Sequence, residues 1–134
     1  MKKALSILML AMWFLLGGTA EANASTIETG NMDGYVGSYP VVMKLTINDS
    51  TGKVTGWYYY KSKGSKNKIQ LSGTYRDQGL GGTMTLTEKV KGKVTGTFSG
   101  EFWIAPVGNM GYYGTWKSPS GKRLDFEVDW MWRY

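Results

Sequence analysis

The stretch Val94-Thr95-Gly96-Thr97-Phe98-Ser99-Gly100-Glu101-Phe102-Trp103-Ile104 decides the fold class. Val94, Gly96, Phe98, Gly100, Phe102 and Ile104 fall on one side of an extended chain, and Thr95, Thr97, Ser99 and Glu101 fall on the other. Successive side chains of a strand point to opposite faces, so a period of two is the signature of a half-buried strand. Working outward, six more segments keep that period. Val41, Met43, Leu45 and Ile47 oppose Val42, Lys44 and Thr46; Val54, Gly56, Tyr58 and Tyr60 share a face, as do Ile69, Leu71, Gly73 and Tyr75. Met84 and Leu86 oppose Thr83, Thr85 and Thr87, and Tyr112, Gly114 and Trp116 share a face. The last segment is the most regular: Leu124, Phe126, Val128, Trp130 and Trp132 against Arg123, Asp125, Glu127, Asp129 and Arg133.

The runs between these segments are rich in Gly, Asn, Asp, Ser and Lys and too short to hold a crossover helix. Neighbours in sequence are therefore expected to be antiparallel neighbours in the sheet. Residues 33–39, with Pro40 as a break, supply an eighth strand or a bent start to the first. An open sheet would leave two bare edges and an uncovered apolar face, which closure removes. The expected fold is all-β: an antiparallel up-and-down meander closing into a small barrel of about seven or eight strands.

The chain begins Met1-Lys2-Lys3, continues with an apolar run over 4–16, and reaches the small-residue site Ala22-Asn23-Ala24. This is the pattern of a secretory signal peptide, and the apolar run is shorter than the roughly 20 residues a membrane-crossing helix needs. The reading is 1–24 signal peptide, 25–33 linker and 34–134 barrel domain, in an exported protein of the periplasm or extracellular space. Without the leader the chain has 14 basic and nine acidic residues, a formal charge of +5. Cysteine is absent, so stability must come from the core alone.

A short motif recurs: Val54-Thr55-Gly56-Trp57-Tyr58, Leu71-Ser72-Gly73-Thr74-Tyr75, Val94-Thr95-Gly96-Thr97-Phe98 and Tyr112-Tyr113-Gly114-Thr115-Trp116. Each puts glycine on the apolar face, where a strand bends or another backbone comes close. The run Gly52-Lys53-Val54-Thr55-Gly56-Trp57-Tyr58 with Ile69-Gln70-Leu71-Ser72-Gly73-Thr74-Tyr75 resembles the second and third strands of avidin-like, calycin-like barrels. The resemblance covers about a third of the mature chain and implies a closed antiparallel barrel. Biotin binding is not carried over: Trp116 matches one tryptophan of an avidin-type site, and most of the others have no counterpart. Gly37-Ser38-Tyr39-Pro40-Val41 with Gly56-Trp57-Tyr58-Tyr59-Tyr60 also resembles a widespread class of bacterial secreted modules of undefined role.

Histidine and cysteine are both absent, which removes serine–histidine and cysteine–histidine nucleophiles and the zinc sites built on those ligands. Asp125, Glu127 and Asp129 read as a solvated outer face, nothing fixes Glu88 and Glu101 at a glycosidase separation, and Gly79-Leu80-Gly81-Gly82 precedes a strand, not a helix. No catalytic residue, cofactor or metal is expected.

In a meander, alternate turns share one end. The turns at 61–68, 88–93 and 117–123 would then gather Lys61, Lys63, Lys66, Lys68, Lys89, Lys91, Lys93, Lys117, Lys122 and Arg123 on one rim. That rim suits an anionic partner such as an envelope component. Nucleic acid is not expected of an exported protein. Tyr58, Tyr75, Phe98 and Trp116 are the candidate lining of an interior site for a small amphipathic ligand. Trp57, Tyr59, Trp103 and Tyr113 fall on the opposite face and suggest a patch for a protein partner or homodimer. The expectation is a binding protein taking a small amphipathic or anionic ligand. The alternatives are a protein-binding module or enzyme inhibitor acting through rim loops and outer aromatics, and a small outer-membrane barrel whose closing strand ends in Tyr134.

Overall fold

A computed structural model of the chain describes residues 26–131. Their regular structure is entirely β: β1 (Thr26–Glu28), β2 (Met32–Val36), β3 (Tyr39–Asn48), β4 (Lys53–Tyr60), β5 (Ile69–Asp77), β6 (Gly81–Val90), β7 (Lys93–Ile104), β8 (Met110–Lys117) and β9 (Arg123–Trp130). From β2 onward each strand pairs antiparallel with the next, and β2 pairs with β9, so eight strands close into a barrel. β1 is the one extra strand. It lies beside β3 beyond the end of β2, with Ile27 opposite Ile47 and Met32 opposite Met43, so β1 and β2 together occupy one interrupted strand position. Buried Thr29 spans the interruption: its amide donates to the Leu45 carbonyl at 3.0 Å, and its Oγ1 accepts from the Leu45 amide at 2.8 Å.

The segment expected as a linker therefore carries β1 and the start of β2. Nor is Pro40 a break: it is the second residue of β3, opposite Tyr35, and its carbonyl accepts from the Lys61 amide at 2.9 Å. A proline at the start of a strand gives up a donor where the ladder can spare one. The signal-peptide reading, and the placement of Trp132, Arg133 and Tyr134, fall outside the described residues.

The alternation read from the sequence is the alternation between core and solvent. Val41, Met43, Leu45, Ile47, Val54, Leu71, Met84, Leu86 and Val128 point inward and are buried together with rings from five strands. Those rings meet edge to face: Tyr58 on Phe98 with centroids 5.2 Å apart, Phe98 on Phe126 at 4.9 Å, and Phe126 on Tyr112 at 4.7 Å. Each contact adds about 0.5–1.5 kcal/mol to simple burial. The core is a packed aromatic column, and the outward positions are dominated by Thr, Ser, Lys and carboxylates. A lipid-facing barrel has the reverse arrangement.

The glycine motif explains how eight strands coil this tightly. A Cβ on Gly73 would run into the carbonyl oxygen of Thr85 on β6, and one on Gly100 into that of Tyr113 on β8. At Gly96 the obstacle is the Trp116 ring, whose Nε1 is among the nearest atoms. The close approach these glycines allow is that of the neighbouring strand, which makes them architectural.

One expected core position is corrected. Glu88 faces Gly96 across the β6–β7 ladder, but the next residue, Lys89, faces Val94, so Thr95 has no opposite number. This bulge turns Val94 out of step with Gly96 and Phe98, and it is 47% exposed.

Candidate functional site

The closed meander puts the turns at 37–38, 61–68, 91–92 and 118–122 at one end of the barrel and those at 49–52, 78–80 and 105–109 at the other. Lys61, Lys63, Lys66, Lys68, Lys89, Lys91, Lys93, Lys117, Lys122 and Arg123 belong to the first end, and all are exposed. Two of them have internal partners: Lys61 Nζ is 3.0 Å from Asp33, and Lys68 Nζ lies 4.7 Å from the centre of the Trp57 ring. The opposite end has Lys53 and Arg76 beside Asp49 and Asp77.

Beneath the basic end sits a carboxyl group that sequence reasoning considered only as a possible catalytic partner. Glu88 is 4% exposed. One oxygen accepts from the hydroxyl of Tyr58 and from Trp116 Nε1 at 2.9 Å; the other accepts from the Thr95 hydroxyl at 2.6 Å. Donors from β4, β7 and β8 thus converge on a side chain from β6. Tyr60 extends the cluster, its hydroxyl 3.5 Å from that of Tyr58. Burial raises the Tyr58 phenol far above its ordinary range, and the charge of Glu88 and the hydrogen bond to it push the same way. Tyr60 is also raised, chiefly by burial. Both therefore remain hydroxyl donors at neutral pH, and the cluster is a satisfied hydrogen-bond network.

Position 88 continues the inward series Met84, Leu86, so the period of two already pointed Glu88 at the core. Glu101 is five ladder steps away on β7, opposite Thr83 and exposed. At about 3.4 Å per step the two carboxyls are too far apart for the paired-acid chemistry of glycoside hydrolysis.

Of the proposed interior ligand residues, Tyr58, Phe98 and Trp116 come together around Glu88, whereas Tyr75 packs against Phe102 toward the opposite end. Tyr58 and Phe98 are sealed from solvent. Trp116 and Tyr60 are half-buried, with Ile69 and Leu124, and form the apolar floor of the basic end. The outer aromatics do not form one patch. Trp57 stacks on Tyr59 along β4, while Trp103 and Tyr113 lie on β7 and β8, across the barrel. Near the second pair, the carboxylates of Asp125 and Glu127 line two shallow outer hollows of about 500 and 510 Å³ on either side of β9. Among the described residues, no group of three or more acidic side chains is placed to hold a metal ion.

Comparison of the chain with family models, with curated proteins and with solved structures returned no match.

Proposed function

We propose that this chain is an exported binding protein that takes an anionic, amphipathic partner on the basic end of its barrel. The observation that carries the reading is the polarity of the molecule: ten exposed cations surround one mouth, and half-buried Tyr60, Ile69, Trp116 and Leu124 floor it. A field of one sign over a small area raises the local concentration of counter-charged partners and speeds their encounter. The packed column of Tyr58, Phe98, Phe126 and Tyr112 occupies the interior, so the partner rests on the mouth and the barrel serves as its rigid support.

The test is retention on an immobilised sulfated polysaccharide, eluted with salt. Changing Lys63, Lys66 and Lys122 to Gln should lower the eluting salt concentration substantially. Changing Lys53 and Arg76 at the far end should lower it much less per charge removed. Equal loss per charge from the two sets would mean that net charge alone governs retention, and the assignment of the mouth would fail.

A further inference from the structure

The hairpin between β6 and β7 projects from the basic end and reads Lys89-Val90-Lys91-Gly92-Lys93-Val94. Three features of this tip are costly for a hairpin that only reverses the chain. The first is the turn itself, where Lys91 and Gly92 have φ of 51° and 80°. Positive φ at both central residues belongs to a turn that favours Asn-Gly or Gly-Gly, and Lys91 is the sole non-glycine with positive φ among the described residues. A lysine held there sacrifices some stability, and such strain is a pointer to use.

The second feature is that both valines are in solvent, Val90 at 41% and Val94 at 47% exposure. The third is the bulge that puts Val94 there. Because Thr95 is the unopposed residue, the pairs beyond it are Lys89 with Val94 and Val90 with Lys93. Successive pairs face opposite ways, so each face of the tip presents one valine and one lysine, with Lys91 at the apex. The bulge is held from below, since the Thr95 hydroxyl donates to buried Glu88 at 2.6 Å. The Glu88 network is thereby the root that fixes the tip. Across the mouth on the same end, Tyr39 is half-exposed and its ring meets Tyr60 edge-on at 6.1 Å.

We infer that this tip is an interfacial finger that docks the protein on an anionic lipid surface, Val90 and Val94 entering the headgroup boundary while Lys89, Lys91 and Lys93 meet lipid phosphates. The inference rests on the proposed basic-end function and names its partner. Charge alone would favour any polyanion. Exposed valines alternating with lysines favour a partner that is apolar behind its anionic layer, which a soluble polyanion is not. Tyrosine at the rim suits the same boundary.

The test is co-sedimentation of the full mature protein with vesicles of phosphatidylcholine, with and without about a third phosphatidylglycerol. Binding is expected to the anionic vesicles only. Each of Lys89→Gln, Lys91→Gln and Lys93→Gln should weaken it about fivefold, the effect of removing one charge near an anionic surface. Val90→Ser and Val94→Ser should each weaken it about threefold, and that loss should persist in high salt because it is not ionic. Retention of the valine variants at wild-type strength would overturn the finger. So would failure to bind vesicles by a protein that still binds the sulfated matrix, an outcome that leaves the basic-end reading standing. Failure on both supports would sink the two together.

Discussion

Replacing Glu88 with Ala should destabilise the barrel by about 2–4 kcal/mol, through the donors it leaves without an acceptor and the space it vacates. Tyr58 is fully buried and cannot turn its hydroxyl to water, and its one remaining neighbour is the Tyr60 hydroxyl at 3.5 Å, so it incurs much of the cost of an unsatisfied buried donor, about 1–3 kcal/mol. Trp116 and Thr95 are half-buried and recover part of their loss from solvent, and the deleted methylene and carboxyl group leave a small cavity. Glu88→Gln separates hydrogen bonding from shape. Its remaining oxygen keeps the Tyr58 and Trp116 donors, and its amide meets a Thr95 hydroxyl that can rotate to accept, so about 1 kcal/mol is expected. Urea denaturation followed by tryptophan fluorescence gives both values from the shift in midpoint. In heating, the Ala variant should melt about 15 °C lower, at roughly 4–5 °C per kcal/mol for a domain of this size. An Ala variant within 1 kcal/mol of wild type, or one no worse than the Gln variant, would show that the three donors do not depend on Glu88.

Gly73→Ala sets a methyl group against the Thr85 carbonyl of the adjacent strand and should cost more than about 2 kcal/mol by the same denaturation assay. Lys91→Asn relieves the left-handed lysine and should raise stability by about 0.5–1 kcal/mol while weakening binding to anionic vesicles, opposite signs that calorimetry and co-sedimentation read separately. Alkali should unfold the protein. Tyr58, Tyr60, Tyr75 and Tyr112 are all raised, first of all by burial, and Tyr75 reaches about 12. A phenol with a raised folded value contributes its full stability below pH 10, the unfolded value, and loses it as pH climbs through the folded one. Absorbance titration of the native chain should therefore lag that of the unfolded chain above pH 10 and rejoin it on unfolding; superimposable curves would contradict the burial of these hydroxyls.

Most of the fold was legible because one face of nearly every strand is buried, and burial enforces the alternation that Met43-Lys44-Leu45-Thr46-Ile47 displays. β1 was missed because three residues, Thr26-Ile27-Glu28, are too few to show a period, and their pairing with β3 depends on Thr29 bridging the gap. Val94 was misplaced because a bulge adds one residue to one strand and leaves no mark in composition. The basic end followed from topology alone, since turn order in a meander fixes which turns meet. Glu88 was harder. Its inward register was visible, but a carboxyl on a core face makes sense only when Tyr58, Thr95 and Trp116 are seen to converge on it, and those partners are 30, 7 and 28 residues away in sequence.

Amide chemical-shift mapping on labelled protein spanning residues 25–134, titrated with a short-chain anionic phospholipid below its micelle concentration, tests the assignment of the binding end directly. Shifts should concentrate at 61–68, 89–95 and 117–123 and saturate, with 49–52, 78–80 and 105–109 unmoved. Saturating shifts centred on those far turns, or on the outer wall around Tyr113 and Glu127, would place the partner elsewhere and contradict the account.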